Sequence, residues 1–192
     1  MEKELLKKFV LQIYPLQAEE LKAFVHNWQP VTAKRKSILT AAGETERYLY
    51  FVVDGIQRVF YLADRNKEAT IIFSYPPSFS GVADSFLTQT PSPYFFEALT
   101  ASSFLRISYN ELQNLIKEYP GIQQMIVTAI SFAFKNALHR QVELQCFSNE
   151  EKFRALLQRS PHILQLVPHK YLASYLGIDV TNFSKLMNTV KI

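Results

Sequence analysis

The 192-residue chain is 48% hydrophobic and 20% charged, the balance of an ordinary water-soluble globular protein large enough to bury one sizeable core or two small ones. A single cysteine, Cys146, excludes an internal disulfide and a cysteine-held zinc or iron-sulfur cluster, and the five glycines form no nucleotide-phosphate loop. The formal net charge of +4 permits a nucleic-acid partner without requiring one, and residues 148–192 hold six cations against three acids.

The opening MEKELLKKF is amphipathic and lacks a signal-peptide core, and no apolar run reaches membrane-spanning length, so no membrane partner and a cytoplasmic location are expected. Residues 1–28 read as helical around a break at Pro15, with Leu5, Leu6, Phe9, Leu16, Leu21, Phe24 and Val25 as apolar faces. YLYFVVDGIQRVFYL then places a turn at Asp54-Gly55 between two runs rich in Tyr, Phe and Val, a hairpin signal. ADRNKE forms a polar turn before the strand ATIIFSY, which Pro76-Pro77 ends, and YFFEALT and SSFLRIS supply two more strands. Repeated hairpins must close on one another to bury a face, which predicts a sandwich or rolled barrel.

Ser108 or Asn110 is placed to cap a helix over ELQNLIKEY. After Pro120 the chain runs to Phe147 without another proline, which is roughly 40 Å of helix. Its stripe, Ile122, Met125, Ile126, Ala129, Ile130, Ala133, Phe134, Ala137, Leu138 and Val142, is longer than a small β-domain covers, so part of it is expected to meet a second subunit. Ser148 or Asn149, followed by Glu150 and Glu151, starts the next helix, which ends near Ser160-Pro161.

In HKYLASYLGIDVTNFSKLMN a glycine interrupts helical spacing. With Gly177 as a hinge, Leu172, Ala173 and Leu176 share a face of one helix, Phe183, Leu186 and Val190 share a face of the next, and Ile178 fills the angle. Asp179 or Thr181 would cap the second helix. That set is the helix-turn-helix pattern. The outer face of the second helix shows Thr181, Asn182, Ser184, Lys185 and Asn188, all hydrogen-bonding and none acidic, which suits base edges and phosphates of double-stranded DNA. A plain helical hairpin with Gly177 as a C-cap would show no such preference.

YLYFVVDGIQRVFYL, DRNKEATIIFSY, EALTASSFLRIS and VPHKYLASYLGID together resemble the cyclic-AMP receptor and fumarate-nitrate regulator superfamily of bacterial transcription factors, and more narrowly its short Bacteroidetes-type subfamily. The resemblance implies an α+β chain: an N-terminal cyclic-nucleotide-binding-like β-roll (jelly roll) with its helices over 1–118, a long dimerisation helix over 119–147, and a helix-turn-helix DNA-binding domain over 148–192. It also implies a homodimer on a two-fold DNA site, with the helix of residues 179–190 in the major groove. Ser184-Lys185 stands where the family commonly carries Ser-Arg, which keeps the charge and loses the planar fork that reads guanine.

The family's nucleotide pocket uses Gly-Glu for the ribose and Arg-Ser or Arg-Thr for the cyclic phosphate. Gly81 fits, but Val82 stands at the glutamate and Ser92-Pro93 at the arginine pair, so cyclic AMP is not expected to bind. Ile72, Phe79, Gly81, Val82, Phe86, Ser92, Pro93, Tyr94 and Phe96 would line this degenerate site. It either holds a small hydrophobic or weakly charged effector or is filled by its own side chains.

No catalytic residues, metal site or cofactor are expected. His26, His139, His162 and His169 are dispersed, and His139 and Cys146 lie about two helical turns apart, too far for a nucleophilic pair. Asp54, Asp64, Glu68, Asp84 and Glu97 are the carboxylates that would have to pair across strands in an enzyme. An effector-binding roll whose C-terminal helices contact protein rather than DNA is the alternative.

Overall fold

The computed structural model describes residues 1–63 and 67–190, so the tip of the expected ADRNKE turn and Lys191 lie outside the described residues. Two helices, α1 (Glu2–Ile13) and α2 (Ala18–His26), lead into eight strands. One antiparallel sheet runs β1 (Gln29–Ala33), β8 (Ser102–Ser108), β3 (Tyr48–Asp54), β6 (Ser78–Ser80). The other runs β2 (Ile38–Thr40), β7 (Phe95–Ala98), β4 (Gln57–Ala63), β5 (Lys67–Ser74). The expected hairpin is β3–β4, but its strands part into different sheets, since β3 pairs with β6 and β8 while β4 pairs with β5 and β7.

Alternation along β3 explains the roll's two cores. Tyr50 and Val52 point inward with Val59, Val82, Phe96 and Phe104. Phe51 points outward and packs with Leu105, Ile107 and Trp28 under α1, α2, α4 (Tyr109–Glu118) and the first turns of α5 (Pro120–Cys146). Ser108 caps α4 in a capping box with Glu111, and that hydroxyl and amide pull the Glu111 carboxyl below its ordinary range. Only the start of the stripe on α5 is covered within the chain: Ile122, Met125 and Ile126 are buried, whereas Ile130, Phe134, Leu138 and Val142 are exposed.

α6 (Asn149–Arg159), α7 (Ile163–Leu166), α8 (His169–Leu176) and α9 (Val180–Thr189) complete the chain. Ser148 caps α6 in a second capping box, with Glu151. Phe153, Leu156, Leu172, Leu176 and Phe183 form the core of these helices, and Ile56 and Leu99 from the roll belong to the same cluster. Five elements gave no readable signal in the sequence: β1, β2, β6, α3 (Ala83–Thr88) and α7. β2 and β6 have three residues and the two helices are under two turns, too short for a periodicity to show, and β1 holds Pro30, which reads as a break.

Candidate functional site

Gly177 ends α8 in the left-handed region, with φ of +65°, and accordingly turns the chain between two helices. Its amide bonds Ser174 O at 3.1 Å and the Ile178 amide bonds Ala173 O at 3.0 Å, which closes the helix end. The Asp179 side chain caps α9 by accepting from the Thr181 amide at 2.8 Å, and this bond holds its carboxyl below the ordinary range. Leu172, Ala173, Leu176, Ile178, Phe183 and Val190 are all buried, and Leu186 is half-buried. Thr181, Asn182, Ser184, Lys185 and Asn188 are all exposed on α9. The Ser184 hydroxyl donates to Val180 O within the helix and keeps its lone pairs outward.

Two polar constructions fix the position of this unit. The first is on α5, where the Glu143 side chain is fully buried and accepts from Arg140 at 2.8 Å and from Arg159 of α6. Burial alone would raise the Glu143 carboxyl, but hydrogen bonds from Arg159 and Arg140 outweigh it and hold it below its usual range. Arg140 also donates to Tyr175 O on α8 and stacks on that ring at 4.2 Å, so one buried carboxylate ties α5, α6 and α8 together.

The second docks α8 on the roll. Ser174 Oγ accepts from the Thr70 amide at 2.9 Å and donates to Glu68 O at 3.1 Å, supplying an edge strand with the partners it lacks. Beside it, buried Arg58 meets Glu68 and Glu97, each at 2.7 Å, and lies 3.8 Å from the Tyr171 ring centroid. Two of the carboxylates considered for catalysis thus serve an arginine instead. Sequence reasoning missed Arg58, Glu143 and Ser174, because ion pairs between distant elements leave no spacing signal.

The residues expected to line an effector pocket do not share one surface. Val82 and Phe96 are buried in the roll interior with Tyr94 packed against them. Phe79 and Phe86 belong to the other core, where Phe79 stacks on Trp28 at 5.7 Å and Phe86 meets Tyr109 at 5.7 Å. Ile72 is 50% exposed on β5 and Pro93 is exposed. Those four are a correction: β6 and α3, which the sequence did not show, carry Phe79 and Phe86 into the other core, Ile72 lies on the exposed face of β5, and Pro93 lies in the loop before β7. Ser92 is buried and spends its polar atoms locally, on Gly43, Glu44 and Tyr94.

Aromatic rings fill the interior. Tyr50 packs on Phe96 and on Phe104, both at 5.4 Å. Beside Gly81 and Val82 lies a carboxylate that the sequence did not flag. Glu46 is 2% exposed and accepts from Thr40 Oγ1 at 2.6 Å, the Tyr48 amide at 3.2 Å and the Val82 amide at 3.4 Å. Burial raises its carboxyl above the ordinary range, against the pull of those donors, and burial with the nearby Glu46 charge raises the Tyr50 phenol.

Residues 30–119 match the cyclic nucleotide-binding domain model. The anaerobic regulatory protein of Pasteurella multocida is 22% identical over 186 residues, covering 91% of this chain and 67% of its own. FixK2 from Bradyrhizobium japonicum superposes with a TM-score of 0.76 at 13% identity, covering 84% of this chain and 83% of its own. The chain and FixK2 share one fold. Another structure with this fold, the catabolite activator protein of Thermus thermophilus, superposes with a TM-score of 0.59 at 19% identity over 93% of this chain and 84% of its own. Among the described residues no helix is long and apolar enough to cross a membrane.

Proposed function

We propose that the chain is a transcriptional regulator, not an enzyme, that reads double-stranded DNA as a homodimer and whose roll does not bind cyclic AMP. One observation carries this reading. α9 is held by a complete apolar face against α8 and presents Thr181, Asn182, Ser184, Lys185 and Asn188 to solvent with no acid among them. The exposed Ile130, Phe134, Leu138 and Val142 of α5 support a two-fold partner, because a second copy of the same stripe would cover them. The name of the Pasteurella relative agrees with a regulatory role.

Genomic DNA captured by the purified protein and sequenced at two salt concentrations tests the reading. An inverted repeat with half-sites about one helical turn apart is expected. Lys185→Ala should weaken binding and lower the salt slope by about 1. Lys185 is the one cation among the five outward residues of α9, and this sparse charge supports a second reading in which the same face contacts protein. Footprinting with no protected site would favour it.

A further inference from the structure

Between the roll and the start of α8 lies an open cleft of about 640 Å³, separate from the roll interior. Arg35 and Lys36 reach it from the β1–β2 turn, and His169 and Lys170 from the first turn of α8. Glu97 is the one carboxylate lining it, and its Oε2 is turned to Arg58 at 2.7 Å. Among the described residues, no carboxylate comes within 4.0 Å of the charged nitrogens of Arg35, Lys36 or Lys170. Three cations therefore line one concavity, none of them in an ion pair among the described residues, and together they favour an anion there.

Further features point the same way. Lys36 holds φ of +64°, in a region that favours glycine or asparagine, and an amide bond from Lys36 to Ala98 O at 2.6 Å fixes it there. α8 begins with Pro168 as N-cap, without a capping side chain or an acid in its first turn, so its positive end is unsatisfied at the cleft. Leu99, Leu166, Val167 and Pro168 add apolar lining. We propose that this cleft binds a small organic anion, a phosphate ester or carboxylate with an apolar group. Its charge would lie on Arg35, Lys36 and Lys170, and its apolar part on Leu99 and Leu166. The site spans the roll and the helix-turn-helix and does not depend on whether α9 reads DNA.

Calorimetry on the full chain, without DNA and at low salt, uses phenyl phosphate and phenylacetate as probes and benzyl alcohol as the uncharged control. At least one anion should bind saturably with a dissociation constant below about 1 mM, and the alcohol should not. The double variant Arg35→Ser, Lys170→Ser should weaken the anion at least about tenfold, while Lys22→Ser, an exposed cation on α2, leaves it unchanged. No saturation by either anion up to about 10 mM overturns the proposal. So does equal binding of benzyl alcohol, undiminished binding to the double variant, or equal loss in Lys22→Ser. A short duplex that occupies the cleft where neither probe does would assign these cations to the DNA backbone and overturn it as well.

Discussion

The Arg58 guanidinium lies 3.8 Å from the centroid of the Tyr171 ring, so a side chain from the wall of the roll is stacked on the first helix of the helix-turn-helix. Arg58 is only 3% exposed, with Glu97 behind it at 10% and Glu68 at 36%. Arg58→Met keeps the volume but leaves Glu97 buried without its cation. It should destabilise the protein by about 3 kcal/mol in urea denaturation, and adding Glu97→Gln should recover part of the loss. Equal stability of the single variant and wild type would mean that Glu97 does not depend on Arg58 for its burial.

Glu143 gives a pH dependence of known sign. Its folded-state carboxyl is lowered, so the stability it contributes is complete above the ordinary carboxyl pKa and is lost as pH falls through the lowered folded value. Glu143→Gln should cost about 2 kcal/mol at neutral pH, since Arg159 is partly exposed and can rehydrate, and the difference should shrink in acid. Denaturation curves of both proteins across that range check it, and a difference independent of pH would refute the assignment.

Glu46 carries the opposite sign. With its folded pKa raised by burial, the folded chain keeps a proton that the unfolded chain has already released once pH passes the ordinary carboxyl range. Stability should therefore fall as pH rises from that range to the raised value, and Glu46→Gln should lack this slope. The same buried acid, with Val82 and Ser92 in place of ligands, predicts no calorimetric binding of cyclic AMP, and micromolar or tighter binding would contradict it.

The helix-turn-helix was legible in the sequence because it is local: Gly177, the two apolar faces and the polar outer face all fall within one short segment. The turn at Asp54-Gly55 was legible for the same reason, but not the parting of its two strands into different sheets. What the sequence hid was non-local. The register of β6 and the course of α3 put Phe79 and Phe86 in the outer core, and their aromatic character alone could not tell inside from outside. Glu46 carries no signal in GETERY, because the donors around its carboxyl, Thr40, Tyr48 and Val82, are brought together by the fold, the last from 36 residues away.

Two turn glycines separate backbone strain from crowding. At Gly177 an added Cβ would meet Leu144 Cδ2 at 3.6 Å, an ordinary contact, so Gly177→Ala should cost only the left-handed backbone penalty, about 1 kcal/mol. At Gly55, also at positive φ, the Cβ would fall 2.4 Å from Ser102 Oγ and 2.6 Å from Ala101 O. Gly55→Ala should therefore be the more damaging, by at least about 2 kcal/mol. Thermal unfolding of both variants gives the order, and the reverse order would show that the Gly177 turn is more tightly constrained than its contacts imply.

The outer part of α5 makes the sharpest test of assembly. Phe134 is 64% exposed in the single chain, where it touches too little to matter for folding, so Phe134→Glu should change monomer stability by no more than about 0.5 kcal/mol. In a two-fold dimer built on this stripe, each copy would bury its own Phe134 and face its partner's stripe. The substitution would then place two carboxylates in a dry seam and raise the dimer dissociation constant about 100-fold or more. Sedimentation across a concentration series should show wild-type dimer and variant monomer with unchanged helix content. A variant that dimerises as well as wild type would move the interface off α5, and with it the spacing that lets two copies of α9 enter successive major grooves.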